Sequence, residues 1–121
     1  MITDVAPATM DDIALLMSSR CRYASLHYAR PVFSSPTASE VAFGGYSRQL
    51  VLWTEPSDGI MTNTDPLVWI GLEPPVTISA VGLNLDPGGG GLVAYGMLDV
   101  PLTSGQTSWR INTGALVLRV A

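Results

Sequence analysis

The 121-residue sequence contains no lysine, and its six cations, all arginine, face ten acids for a formal net charge of -4. With so few cations and the acids scattered, it has no electrostatic footprint for nucleic acid. Only 13% of residues are charged, so part of the surface is expected to be covered in an assembly. Cysteine is nearly absent as well. A single Cys21 excludes an internal disulfide and a cysteine-based zinc site, and it fits synthesis in a reduced cytoplasm. No apolar run approaches the roughly 20 residues of a membrane-spanning helix. No basic segment followed by an apolar core opens the chain, so no secretion signal is expected.

What is abundant points to a β protein. Apolar residues make up 47% of the chain, which excludes disorder. Twelve glycines and nine prolines punctuate short apolar runs, as turn residues do between strands. One helix is expected, over about 10–18 in ATMDDIALLMSS. Thr9 is its predicted N-cap, with Asp11 and Asp12 in the first turn and Met10, Ile13, Leu16 and Met17 as one apolar stripe. That stripe packs on the chain's own sheet or docks onto a neighbouring subunit. Strands are expected from about residue 21 onward. CRYASLHYA alternates Ala24, Leu26 and Tyr28 against Tyr23, Ser25 and His27. After it come SRQLVLWT, closed by the Pro56–Gly59 turn, then DPLVWIGLEPP, VTISAVGLNL and LVAYGMLDVP. The chain ends in two strands, one through Trp109 and Ile111, the other with Leu116, Leu118 and Val120 on one face. Seven to eight short strands with regular turn signals predict a single domain, 1–121: an all-β, jelly-roll-like antiparallel sandwich behind a short N-terminal helix.

Chemistry is hard to assemble from these residues. A nucleophile needs a neighbouring base, and the one histidine, His27, reads as a surface or interface residue. Cys21 and His27 sit about 20 Å apart along one strand, too far for a dyad. No G-x-S-x-G elbow is present. Asp58 and Asp65 are turn-forming acids unless they meet across strands, and no metal or cofactor site is expected. The run Gly88, Gly89, Gly90 and Gly91 lacks the Lys-Ser/Thr and the helix of a phosphate loop. It reads as a hairpin tip, mobile or pressed against a partner, and so as a candidate interface. Trp53, Trp69 and Trp109 are expected in the core. The segment SEVAFGGYSRQLVLW reads as a structural corner. There Gly44 and Gly45 supply unusual backbone angles, Tyr46 lays its ring on the sandwich edge, and Arg48 reaches Glu40 in an ion pair of about 0–1 kcal/mol if exposed.

The stretch YASLHYARPVFSSPTASEVAFGGYSRQLVLW resembles a motif of small tailed-bacteriophage structural proteins labelled minor tail or tail fibre. In that family a strand of the form aLHtadP leads to nEvsGggYaRq. The matching residues are Leu26, His27, Pro31, Glu40, Val41, Gly44, Gly45, Tyr46, Arg48 and Gln49. The similarity runs on through VTISAVGLNL, the glycine-rich hairpin and the closing strands, and the preceding helix is also typical. Two places depart from the pattern: Tyr28-Ala29-Arg30 replaces small polar residues before Pro31, and Gln106 stands where an aspartate is common.

The resemblance implies a virion component and no enzyme. A minor tail or tail-tip protein is expected, with capsid decoration as the alternative, and a glycan-binding module as a second one. The glycan module predicts Tyr23, Tyr46 or a tryptophan exposed beside acids or amides. The implied partners are copies of the chain itself, as a homotrimer or another symmetric ring, and other virion proteins. No nucleic acid or membrane partner is expected. The expected location is the virion, tail before capsid surface, after synthesis in the host cytoplasm, with neighbours holding both chain ends.

Overall fold

The computed structural model describes residues 6–73, 76–103 and 105–120; both chain ends lie outside them. One helix and eight strands follow in order. They are α1 (Pro7–Arg20), β1 (Tyr23–His27), β2 (Gln49–Leu50), β3 (Ile60–Thr62), β4 (Leu67–Trp69), β5 (Val76–Asn84), β6 (Leu92–Leu102), β7 (Trp109–Ile111) and β8 (Val117–Arg119). All the strand pairings are antiparallel. The fold is the expected all-β sandwich with a short N-terminal helix.

One layer is a four-stranded sheet in the order β2-β1-β5-β6, and the other is made of two short ladders, β3-β8 and β4-β7. The core lies between them, where Leu26, Ile78, Val81 and Leu83 of the sheet meet Leu67, Trp69 and Ile111 of the second layer. Asn63 ties the second layer together. It is 1% exposed, and its Nδ2 donates to the Asp65 and Asn112 carbonyls at 2.8 and 3.1 Å while its Oδ1 accepts from Leu116 N–H at 2.9 Å. Each polar atom of this buried amide thus has a partner, as burial demands.

The helix differs from its sequence reading. Pro7 occupies the first turn and Ala6 the N-cap position, without a side-chain cap. A proline preset to helical φ starts the helix, so Thr9 lies inside it and is not the cap. The first turn holds no acid. Asp11 instead accepts a hydrogen bond from Gly59 N–H at 2.8 Å, tying α1 to the turn before β3. The predicted stripe is also split: Ala14 is the buried helical residue, packing with Met61 and Leu118, whereas Ile13 and Leu16 are 37% and 60% exposed.

β3 was not expected, because three residues are too few to show a period. SRQLVLWT is a strand for only two residues against β1. It then changes partners, with Trp53 bridging Asn63 and Thr54 N–H bonding the Thr62 carbonyl at 2.8 Å. In the last strand Leu118 is buried while Val117 and Arg119 face outward, as its alternation predicts.

Candidate functional site

The segment from Glu40 to Arg48 folds into a buried polar corner. Arg48 and Glu40 meet side by side, Nη2 to Oε1 at 2.8 Å and Nε to Oε2 at 2.9 Å, in the two-pronged geometry that suits guanidinium and carboxylate. The Tyr46 hydroxyl donates to Glu40 Oε2 at 2.5 Å and accepts from Leu26 N–H at 3.1 Å. The side chains of Arg48 and Glu40 are 2% and 10% exposed, so the pair is internal, contrary to the exposed pair considered from sequence. Burial pushes the Glu40 carboxyl up, but the Arg48 and Tyr46 hydrogen bonds and the Arg48 charge outweigh it and hold the group below its usual range. Burial, and then the hydrogen bond to Glu40, push the Tyr46 phenol well above its usual range.

The corner also grips the glycine-rich hairpin tip. Arg48 Nη1 donates to the Asp86 carbonyl at 2.9 Å and Nη2 to the Gly89 carbonyl at 2.7 Å. The two segments that stood out separately in the sequence are therefore one unit. Gly88, Gly89 and Gly90 have open space where a Cβ would project, while at Gly91 that space is filled by Asp86. The tip is held through its Asp86 and Gly89 backbone carbonyls, and its glycines stay exposed.

The double glycine acts differently from its sequence reading. Neither Gly44 nor Gly45 has a positive φ. A Cβ on Gly44 would meet nothing within 4 Å, but on Gly45 it would lie 2.9 Å from the Gly71 Cα. Gly71 itself has φ +70 and its Cβ would come 2.7 Å from the Gly45 Cα. The need at Gly45 is for space at a crossing of two backbones.

His27 is fully buried, which corrects its reading as a surface residue. Asn84 Nδ2 donates to Ser25 Oγ at 2.9 Å, Ser25 Oγ lies 2.7 Å from His27 Nε2, and His27 Nδ1 lies 3.2 Å from Ser39 Oγ, which donates to the Ala29 carbonyl. Counting donors gives one consistent direction: Ser25 donates to Nε2, and Nδ1–H donates to Ser39. The imidazole is then neutral, in keeping with the burial that lowers its pKa, a lowering that Glu40 opposes and Arg48 reinforces. Opposite Ser25 stands Gly82, where a Cβ would fall 2.5 Å from Ser25 Oγ and 2.7 Å from His27 Nε2. A Ser–His contact resembles a nucleophile with its base, but Ser25 and His27 are both 0% exposed, leaving no face open to a substrate. The strand parity put Ser25 and His27 together correctly; what it missed is that the loop carrying Ser39 covers them.

The other readings are met in part. Trp69 is buried and stacks on partly buried Trp109, with ring centroids 5.7 Å apart, and Trp53 is partly buried with Nε1 on the Cys21 carbonyl at 2.9 Å. Cys21 is buried, and burial raises its thiol pKa to about 11. Asp58 takes φ 52 in the turn before β3, a turn-forming acid as expected. Among the described residues no three His, Cys, Asp or Glu side chains are grouped to hold a metal, and no helix is long and apolar enough to cross a membrane.

Sequence reasoning passed over the surface. Leu15 of α1 and Leu50 and Leu52 line one cleft of about 410 Å³ together with Arg22 and Glu55. These three leucines are 47%, 51% and 51% exposed. Elsewhere Phe33, 59% exposed, leans on Tyr95 at 5.7 Å between ring centroids, and the Arg30 guanidinium lies 6.0 Å from the Tyr95 ring. For the first patch the only hint was the alternative that the helix docks onto a neighbouring subunit, and Leu15, Leu50 and Leu52 were not in the stripe that raised it. For the second there was none, because Phe33 and Tyr95 are 62 positions apart. No protein-family model matches this chain, and comparison with curated proteins returns no match.

Proposed function

We propose that this chain is a structural protein of a tailed-bacteriophage virion, a minor tail or tail-tip component that works through contacts with copies of itself and with neighbouring virion proteins. Capsid decoration uses the same chemistry at another place on the particle. The observation that carries the reading is a division of labour between polar and apolar groups. Glu40, Tyr46, Arg48, Ser25, His27 and Asn84 spend their hydrogen bonds inside the fold, while large apolar side chains such as Leu16, Leu50, Leu52 and Ile70 stand at 51–64% exposure. Such a surface suits burial against other proteins. The motif from Leu26 to Gln49 adds the resemblance to tail proteins, and its Glu40, Tyr46 and Arg48 form the corner on which the fold turns. Locating density for this chain in an intact particle tests the reading. Density at the tail end supports it, density on the capsid lattice supports decoration, and its absence from particles overturns both.

The group of exposed Phe33 and Arg30 with half-buried Tyr95 favours a second reading, a glycan-binding module. Aromatic faces beside a guanidinium suit the apolar face and hydroxyls of a sugar. Tyr46, one of the residues first expected in that role, is bound inside the corner. Retention on cell-wall glycans that is lost in Phe33→Ala supports this reading, and no retention by the unaltered chain removes it.

A further inference from the structure

Four of the exposed large apolar residues come from two neighbouring segments: Leu15 and Leu16 on α1, and Leu50 and Leu52 in and just after β2, the outer strand of the sheet. Leu15, Leu50 and Leu52 line the cleft between these segments, and Leu16, the next residue of the helix and about 100° further round it, projects beside the cleft at 60% exposure. The patch thus offers a cleft and, beside it, a projecting leucine that suits a cleft. Its charges are mixed in the same way. Arg22 and Glu55 both line the cleft and both are exposed. The salt bridge found among the described residues joins Arg48 to Glu40, so among those residues neither charge at the cleft is in an ion pair, and Arg22 rests only over the Tyr23 ring at 5.7 Å.

We propose that this patch binds a second copy of the chain across a two-fold axis. In such a contact the same surface serves both partners, so it must complement itself. Here it does so twice. The helix crest of each copy meets the cleft of the other, and Arg22 of each copy meets Glu55 of the other. A foreign partner would need a charge pattern of its own to match, whereas a copy carries the match already. The consequence is an assembly with an even number of chains; a ring of three built through this face alone is excluded. The inference rests on the self-association premise of the proposed function and not on the virion location.

The test is sedimentation of the purified chain over a range of concentrations, with each variant checked for an unchanged thermal transition. The unaltered chain is expected to form a dimer. Leu16→Glu and Leu52→Glu, both at exposed positions, are expected to shift it to monomer. Arg22→Glu alone and Glu55→Arg alone are each expected to weaken the dimer about tenfold or more, and the double variant Arg22→Glu/Glu55→Arg is expected to restore it. A monomer at every concentration, an odd-numbered oligomer, an oligomer indifferent to Leu16→Glu and Leu52→Glu, or a double variant no tighter than the single ones would overturn the proposal. A dimer with the expected charge rescue that never enters particles would leave this contact standing and sink the virion reading.

Discussion

Glu40 and Arg48 show how burial changes the worth of a contact. An exposed pair contributes about 0–1 kcal/mol, but here removing either partner strands the other charge inside the fold. Glu40→Ala or Arg48→Ala is therefore expected to lower unfolding stability by about 3–5 kcal/mol in denaturant titration. Arg48 variants should also loosen the hairpin tip, because Arg48 holds the Asp86 and Gly89 carbonyls. A loss under about 1 kcal/mol would mean that the corner is open to water. Gly45 poses the other kind of residue-scale demand. Gly45→Val is expected to abolish soluble folding, since its Cβ would press on the Gly71 backbone at 2.9 Å, while Gly44→Ala, which meets nothing within 4 Å, should fold normally. Equal soluble yields of the two variants would contradict the close crossing. His27→Ala removes a buried ring with two hydrogen-bonding partners and should cost about 2–4 kcal/mol.

At the scale of elements, β1 and its covering loop carry a pH dependence. Burial holds His27 below its usual pKa of 6.5, so the unfolded chain binds a proton that the folded one refuses. This contribution to stability is present above pH 6.5 and is lost as pH falls below it. Glu40, also lowered, adds a loss that begins below its usual 4.5. Cys21 acts at the other end: its pKa rises from 9.0 to about 11, so its contribution is present below pH 9.0 and fades between there and about 11. Denaturation midpoints measured across pH should fall on both sides of a neutral plateau. In Ser25→Ala/His27→Leu the fall between pH 6.5 and 5 should be reduced; an unchanged acid limb would assign it to other groups. The elements also show what a sequence can reveal. Alternation in YASLH and in the last strand was legible because side chains in a strand alternate faces. The helix stripe misled because periodicity marks an apolar face without saying what covers it. β3 and the change of partner after Leu50 were invisible, since β3 pairs with β8 far along the chain and the bridge from Trp53 to Asn63 spans a turn with no period of its own.

For the whole molecule, the corner motif was read in outline and its meaning came from packing. The sequence paired Arg48 with Glu40, but only the fold adds the Tyr46 hydroxyl to the pair and joins it to the hairpin tip 38 residues beyond Arg48. The interior then uses its charged and hydroxyl groups for cohesion, and the outside carries leucines instead of lysines. A molecule built in this way is expected to work by being covered. The most direct measurement of that claim, under the proposed virion role, is the amount of this chain bound in purified particles of the phage proposed to encode it. Those particles would be assembled from a gene deletion supplied with either the unaltered chain or the Leu16→Glu/Leu52→Glu variant. The account predicts full occupancy with the unaltered chain and little or none with the variant, although both remain folded. Equal occupancy by the two chains, or none by either, would contradict it.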